Sequence, residues 1–121
     1  MDLLEKLAHE RLEWIEPHRK VFLGPLADSD KWEIRLQVVR ALPLFQWKAA
    51  ERRRAVAILR RDVDHPQKFV RAWALDGLAR FALADPRLVP DVLRHLRRFE
   101  RSGSKALMAR ARRIREHGFA D

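Results

Sequence analysis

Residues 64–81, DHPQKFVRAWALDGLARF, carry the pattern from which the fold is read. Val70, Ala74, Leu78 and Phe81 recur at helical spacing, so the stretch reads as a helix start followed by a helix with one apolar stripe. Thirty-six residues earlier the chain reads DSDKWEIRLQVVRALPLF. There Asp28, Ile34, Arg35, Val38, Leu42 and Phe45 stand where Asp64, Val70, Arg71, Ala74, Leu78 and Phe81 stand later. A repeat of this length cannot bury its apolar face alone, so the pattern predicts units stacked on one another.

The segments on either side read as helices too. Lys48 to Arg61 is Arg-rich, with Ala55, Val56 and Leu59 turned inward and Arg53, Arg54, Arg60 and Arg61 turned to solvent. Pro43 is expected to end the preceding helix near Leu42. Asp28, Ser29 and Asp30 offer caps for that helix, and Asp62 and Asp64 bracket the turn before the next. Beyond the opening stretch, Asp85-Pro86 is a cap followed by a first-turn proline. The helix that follows buries Leu88 or Val89, Val92, Leu96 and Phe99, with Arg87, Arg94, Arg98 and Arg101 on its opposite flank. Ser102-Gly103-Ser104 stops it and caps a last helix from Lys105 to about His117, which buries Leu107, Ala111 and Ile114 and ends at Gly118. Toward the N-terminus, Asp2 to Ile15 reads as a helix with Leu4, Leu7, Ala8, Leu12 and Ile15 on one side. A short helix, KVFLGPLA, follows Pro17 and is interrupted by Gly24-Pro25. Gly77 lies mid-helix, where it costs about 1 kcal/mol against alanine, so a close helix approach is expected there and at its counterpart Ala41.

No stretch reads as strand. The inner-helix pattern Asp28…Ile34-Arg35…Leu42 and Asp64…Val70-Arg71…Ala74…Leu78 resembles that of HEAT repeats. The resemblance implies an all-α, right-handed α-α superhelix, a HEAT-like solenoid of about seven helices. Residues 1–121 then form a single domain: a capping helix over 1–16 and helical pairs over 17–47, 48–83 and 84–117, the last degenerate. It also implies that Asp28, Arg35, Asp64 and Arg71 form a structural ladder, each arginine bridging toward turn groups of an adjacent repeat. The offset of thirty-six is shorter than the roughly 40–47 residues of full HEAT units and nearer the short HEAT-like variety.

With 121 residues the chain suffices for one modest core. The absence of cysteine removes disulfides, thiolate nucleophiles and cysteine-based metal sites. No long apolar run or signal-type segment is present, which sets the expectation of a cytoplasmic protein without a membrane partner. The net charge of +9 is uneven. Residues 1–47 carry seven Lys and Arg against eight Asp and Glu, and residues 48–121 carry nineteen against nine, which points to a polyanionic partner.

Chemistry needs more than charge. His9, His18, His65, His95 and His117 fall in different elements without ligand spacing, so no metal site and no cofactor are expected. No phosphate loop or nucleophile elbow occurs. Trp73, Asp76 and Arg80 share one helix face, where an aromatic plane beside a carboxylate and a guanidinium suits a binding site; Gln37 and Arg40 are their counterparts one repeat earlier. The expectation is a non-catalytic protein- or peptide-interaction scaffold, monomeric or weakly dimeric, binding through Gln37, Arg40, Trp73, Asp76 and Arg80. The alternative is nucleic-acid binding by a C-terminal basic ridge that includes Arg94, Arg98, Arg101, Arg110 and Arg113. The Trp73/Asp76 pair is also similar to the aromatic and acidic groove residues of HEAT-like alkylated-DNA glycosylases, which makes base excision a third expectation.

Overall fold

A computed structural model describes residues 16–119, with side chains from residue 20 onward. The expected capping helix lies outside the described residues. Within them the chain is helical and contains no strand. Among the described residues there are five α-helices: α1 (Trp32–Ala41), α2 (Ala49–Asp62), α3 (Lys68–Ala84), α4 (Val89–Glu100) and α5 (Lys105–Glu116). The same residues hold three 3-10 segments, Glu16–Leu23 before α1, Leu42–Leu44 after it and Pro86–Leu88 before α4. The first replaces the short α-helix expected after Pro17; it closes before Gly24-Pro25, with the Gly24 amide donating to the Val21 carbonyl at 3.2 Å.

Local chemistry accounts for the boundaries. Pro43 ends α1 at Ala41 and turns the chain through the second 3-10 segment. The amide of Lys48 donates to Glu51 Oε1 at 3.2 Å at the start of α2. The cap of α3 is Gln67, whose Oε1 accepts from the Phe69 amide at 3.1 Å, and not an aspartate of the preceding turn. Asp85 Oδ1 accepts from the Arg87 amide at 3.2 Å, and Ser104 Oγ from the Leu107 amide at 3.3 Å. After α5 the chain reverses at Gly118, whose φ of 123° suits only glycine.

Helix α3 is the centre of the molecule, in contact with α1, α2, α4 and α5. Burial therefore exceeds the expected stripe. Val70, Ala74 and Leu78 are buried and Phe81 half-buried, and Ala72, Leu75, Gly77, Ala79 and Ala82 are buried as well. Small side chains on the added faces let four neighbours approach. A Cβ on Gly77 would stand 3.1 Å from Leu59 Cδ2 and 3.3 Å from the Val39 carbonyl oxygen, so the glycine is needed where α1 and α2 meet α3. The inward faces of α2, α4 and α5 bury Ala55, Val56, Ile58, Leu59, Val92, Leu96, Phe99, Leu107, Ala111 and Ile114, and Leu88 joins them from the 3-10 segment before α4.

The four residues expected to form a ladder have partners other than one another. Arg35 pairs with Asp62, its Nε 3.3 Å from Oδ2, and also donates to the Ser29 carbonyl at 3.3 Å. Asp28 pairs with Arg61 at 2.9 Å, Asp64 with Arg98 at 3.0 Å, and Arg71 lies 5.7 Å from the Phe99 ring. A second internal repeat explains this. Ile58-Leu59-Arg60-Arg61-Asp62 and His95-Leu96-Arg97-Arg98-Phe99 match at an offset of thirty-seven, ending α2 and α4 alike. The last-turn arginine of each helix thus reaches back to the aspartate before the preceding helix. A cation in the last turn also complements the helix dipole.

Candidate functional site

The face shared by α1, α3 and α5 gathers the sequence-predicted residues around Trp73. Its helix contributes Asp76 and Arg80 at three and seven residues on, neighbours on one side of α3. Arg40 arrives from the last turn of α1 and Arg110 from α5. Both guanidinium carbons lie 4.0 Å from the Trp73 ring centroid, so two cations stand against the one indole.

Asp76 is the carboxylate of this cluster. Its Oδ2 lies 3.1 Å from Arg80 Nε and its Oδ1 accepts from Arg110 Nη1 at 3.3 Å. The Asp76 side chain is only 14% exposed and that of Arg110 18%, which places the pair where charges are weakly screened. Among the described residues the guanidiniums of Arg40, Arg80 and Arg110 gather near this carboxylate. Burial first, and then the nearby Arg110, push the pKa of Arg40 below its ordinary value; Asp76 opposes them and Arg80 adds to the depression.

A cleft of about 450 Å³ opens beside this cluster. Its basic part holds Asp76, Arg80, Arg110, Arg113 and His117, and its apolar lip is made by Leu83, Ile114 and Phe119. Arg110, Arg113, Ile114 and His117 stand at helical spacing on α5, the signal in the sequence by which this wall was legible. His117 Nδ1 lies 2.7 Å from the Arg113 carbonyl and so carries the proton, which leaves Nε2 as acceptor in the neutral ring. A second cleft, about 330 Å³, is lined by Pro43, Phe45, Gln46, Trp47, Arg52, Arg80, Phe81 and Ala84. Trp47 is a wall of it, buried and donating its indole N–H to the Leu42 carbonyl at 2.8 Å.

The remaining expected residues lie elsewhere. Gln37 is exposed on α1 and lines neither of these clefts. The ridge arginines have different surroundings. Arg94 pairs with Asp91 at 3.0 Å, and Arg98 with Asp64 at 3.0 Å and with His95 Nδ1 at 2.9 Å; Arg101 is exposed at the end of α4. Arg110 and Arg113 belong to the cleft. Among the described residues no three His, Asp or Glu side chains gather as metal ligands. His65 instead accepts from the Gln67 amide at 2.9 Å. No described helix is long and apolar enough to cross a membrane.

This arrangement can hold an anion by charge and by guanidinium hydrogen bonds, with apolar contact alongside. It brings no nucleophile and base together. Searches of family models, curated proteins and solved structures find no match to this chain.

Proposed function

We propose that the protein is a non-catalytic interaction module of the HEAT-like solenoid kind, which captures an acidic segment of a partner protein on its α1–α3–α5 face. The observation that carries this reading is the guanidinium lining of the cleft: Arg80, Arg110 and Arg113 stand with Asp76 around a partly desolvated space, and Arg40 lies against the indole of Trp73. An incoming carboxylate gains charge-assisted hydrogen bonds from these guanidiniums. The central position of α3, with α1 and α5 on its flanks, supports a solenoid in which these helices form one binding face.

Nucleic acid is the second reading, favoured by the exposed Arg101, Arg112 and Arg113. It has less support, because Arg94 and Arg98 already hold carboxylates. Base excision has less still, since two of the protein's own arginines already stand against the Trp73 indole.

Titration of the protein with oligo-glutamate and with duplex DNA at low and moderate salt tests the reading. Oligo-glutamate is expected to bind, to weaken as salt rises, and to weaken further in Arg113→Gln. Binding of DNA alone, or affinity for oligo-glutamate indifferent to Arg113→Gln, would sink it.

A further inference from the structure

Arg80 borders both clefts, so it forms the ridge between a basic site and an aromatic one. On the first side stand Asp76, Arg110 and Arg113, with Leu83 62% exposed at the lip. On the second stand Pro43, Phe45, Trp47 and Phe81, with Arg52 at the margin. The aromatic wall is preformed: the Trp47 ring meets Phe45 edge-on with centroids 5.2 Å apart, and Phe22 backs Phe45 at 5.7 Å. Each wall is held by packing, so neither has to be built when a ligand arrives.

We infer that the two clefts together take one extended peptide segment, whose acidic side chain enters the Arg80–Arg110–Arg113 cleft while an apolar or aromatic side chain enters the Pro43–Phe45–Phe81 cleft. This rests on the acidic-partner reading and narrows it. A small anion fills the basic cleft and leaves the aromatic one empty. A duplex satisfies the arginines but presents polar sugar and phosphate to Leu83, Phe119 and Phe81, and a single strand, which could stack a base in the aromatic cleft, is the competing outcome of the test. A peptide offers both chemistries in one strand.

Geometry sets the spacing. The clefts flank one helix, and a helix with its side chains is about 10–12 Å across. An extended chain covers that in about three residues. The segment therefore carries its acidic and apolar residues about three positions apart. Asp76 acts as an internal competitor, since the ligand carboxylate seeks the same Arg80 and Arg110 that it already holds.

Fluorescence anisotropy with three labelled probes of equal length tests this: a glutamate peptide with phenylalanine at every third position, oligo-glutamate, and single-stranded oligo-dT. The Glu/Phe peptide is expected to bind about tenfold tighter than oligo-glutamate, the gain from burying one aromatic side chain in part. Arg80→Gln weakens both peptides. Ala84→Gln, at an exposed position in the aromatic cleft, abolishes the difference and leaves oligo-glutamate binding unchanged. Arg101→Gln, exposed and outside both clefts, changes neither. Equal affinity for the two peptides overturns the two-cleft inference and leaves the acidic-partner reading standing. Failure of both peptides overturns both, and tighter binding of oligo-dT replaces the peptide with a nucleic-acid strand.

Discussion

Arg35 of α1 and Asp62 at the end of α2 form an ion pair, in which the carboxylate is 0% exposed and also accepts from Arg61 Nε at 3.0 Å. The corresponding positions later in the chain hold Arg71 and Phe99, whose guanidinium and ring lie 5.7 Å apart. One location in the fold thus takes a carboxylate in one unit and an aromatic ring in the next. Both solutions place something attractive opposite a half-buried guanidinium; they differ in the cost of desolvation.

The buried pair yields the first prediction. Asp62→Ala leaves Arg35 with no carboxylate in a desolvated place and is expected to lower stability by about 3–5 kcal/mol. Removing both charges with Arg35→Met and Asp62→Leu is expected to restore much of that loss, because the isosteric apolar pair has no charge to desolvate. Urea unfolding of the two variants and the parent measures it, and equal losses in both variants would count against this account.

Gly77 yields the second. Alanine gains about 1 kcal/mol of helix propensity at an unconstrained site, yet here a larger side chain meets Leu59 and the Val39 carbonyl. Gly77→Val is expected to destabilise by about 1–3 kcal/mol through overpacking. A melting temperature equal to or above the parent's would show that α1 and α2 can move aside.

His95 yields the third. It is buried, and its pKa is pushed below the ordinary 6.5 by that burial, then by Arg98 and Arg94, with Asp64 and Asp91 acting the other way. The folded state therefore favours the neutral ring, while the unfolded chain takes up a proton near 6.5. Stability from this group is full above that pH and declines as pH falls below it. His65 shifts the same way, its burial being the largest cause. Denaturation midpoints are expected to fall from pH 7 to pH 5, with a shallower slope in His95→Gln. An unchanged slope would place the acid sensitivity elsewhere.

Asp76 yields the fourth. Asp76→Asn removes the carboxylate shared by Arg80 and Arg110 and leaves three guanidiniums around Trp73. The variant is expected to be less stable than the parent by about 1–3 kcal/mol. Oligo-glutamate is expected to raise its melting temperature by more than it raises the parent's, since a ligand that binds only the folded state stabilises it by mass action. If the shift is smaller in the variant, Asp76 is a ligand-orienting group and not a competitor.

Most of the helical map was legible because it depends on neighbours in the chain. Pro43, Ser104 and Gly118 mark boundaries by backbone chemistry alone, and the apolar positions of α2, α4 and α5 follow the helical period. Where several residues could serve as caps the reading went astray: Asp28 and Asp64 turned to Arg61 and Arg98, and Gln67 took the cap of α3. A carboxylate near a helix start is free to choose between an amide and a distant guanidinium, and sequence adjacency favours the amide.

The sequence by itself determined that Trp73, Asp76 and Arg80 share a face, because a spacing of three and four residues admits no other helical outcome. The spacing of Arg110, Arg113 and His117 is that of one helix face as well, though in the sequence the two arginines read as part of a basic ridge and His117 stands apart from them. Only the tertiary structure decided that these two faces meet, that Arg40 comes to the same indole from α1, and that Arg80 stands between two clefts. The physical reason is range. Helical periodicity is set by hydrogen bonds four residues apart, whereas the pairing of α3 with its neighbours is set by packing between residues distant in the chain, as where Gly77 of α3 meets Leu59 of α2 and the Val39 carbonyl of α1.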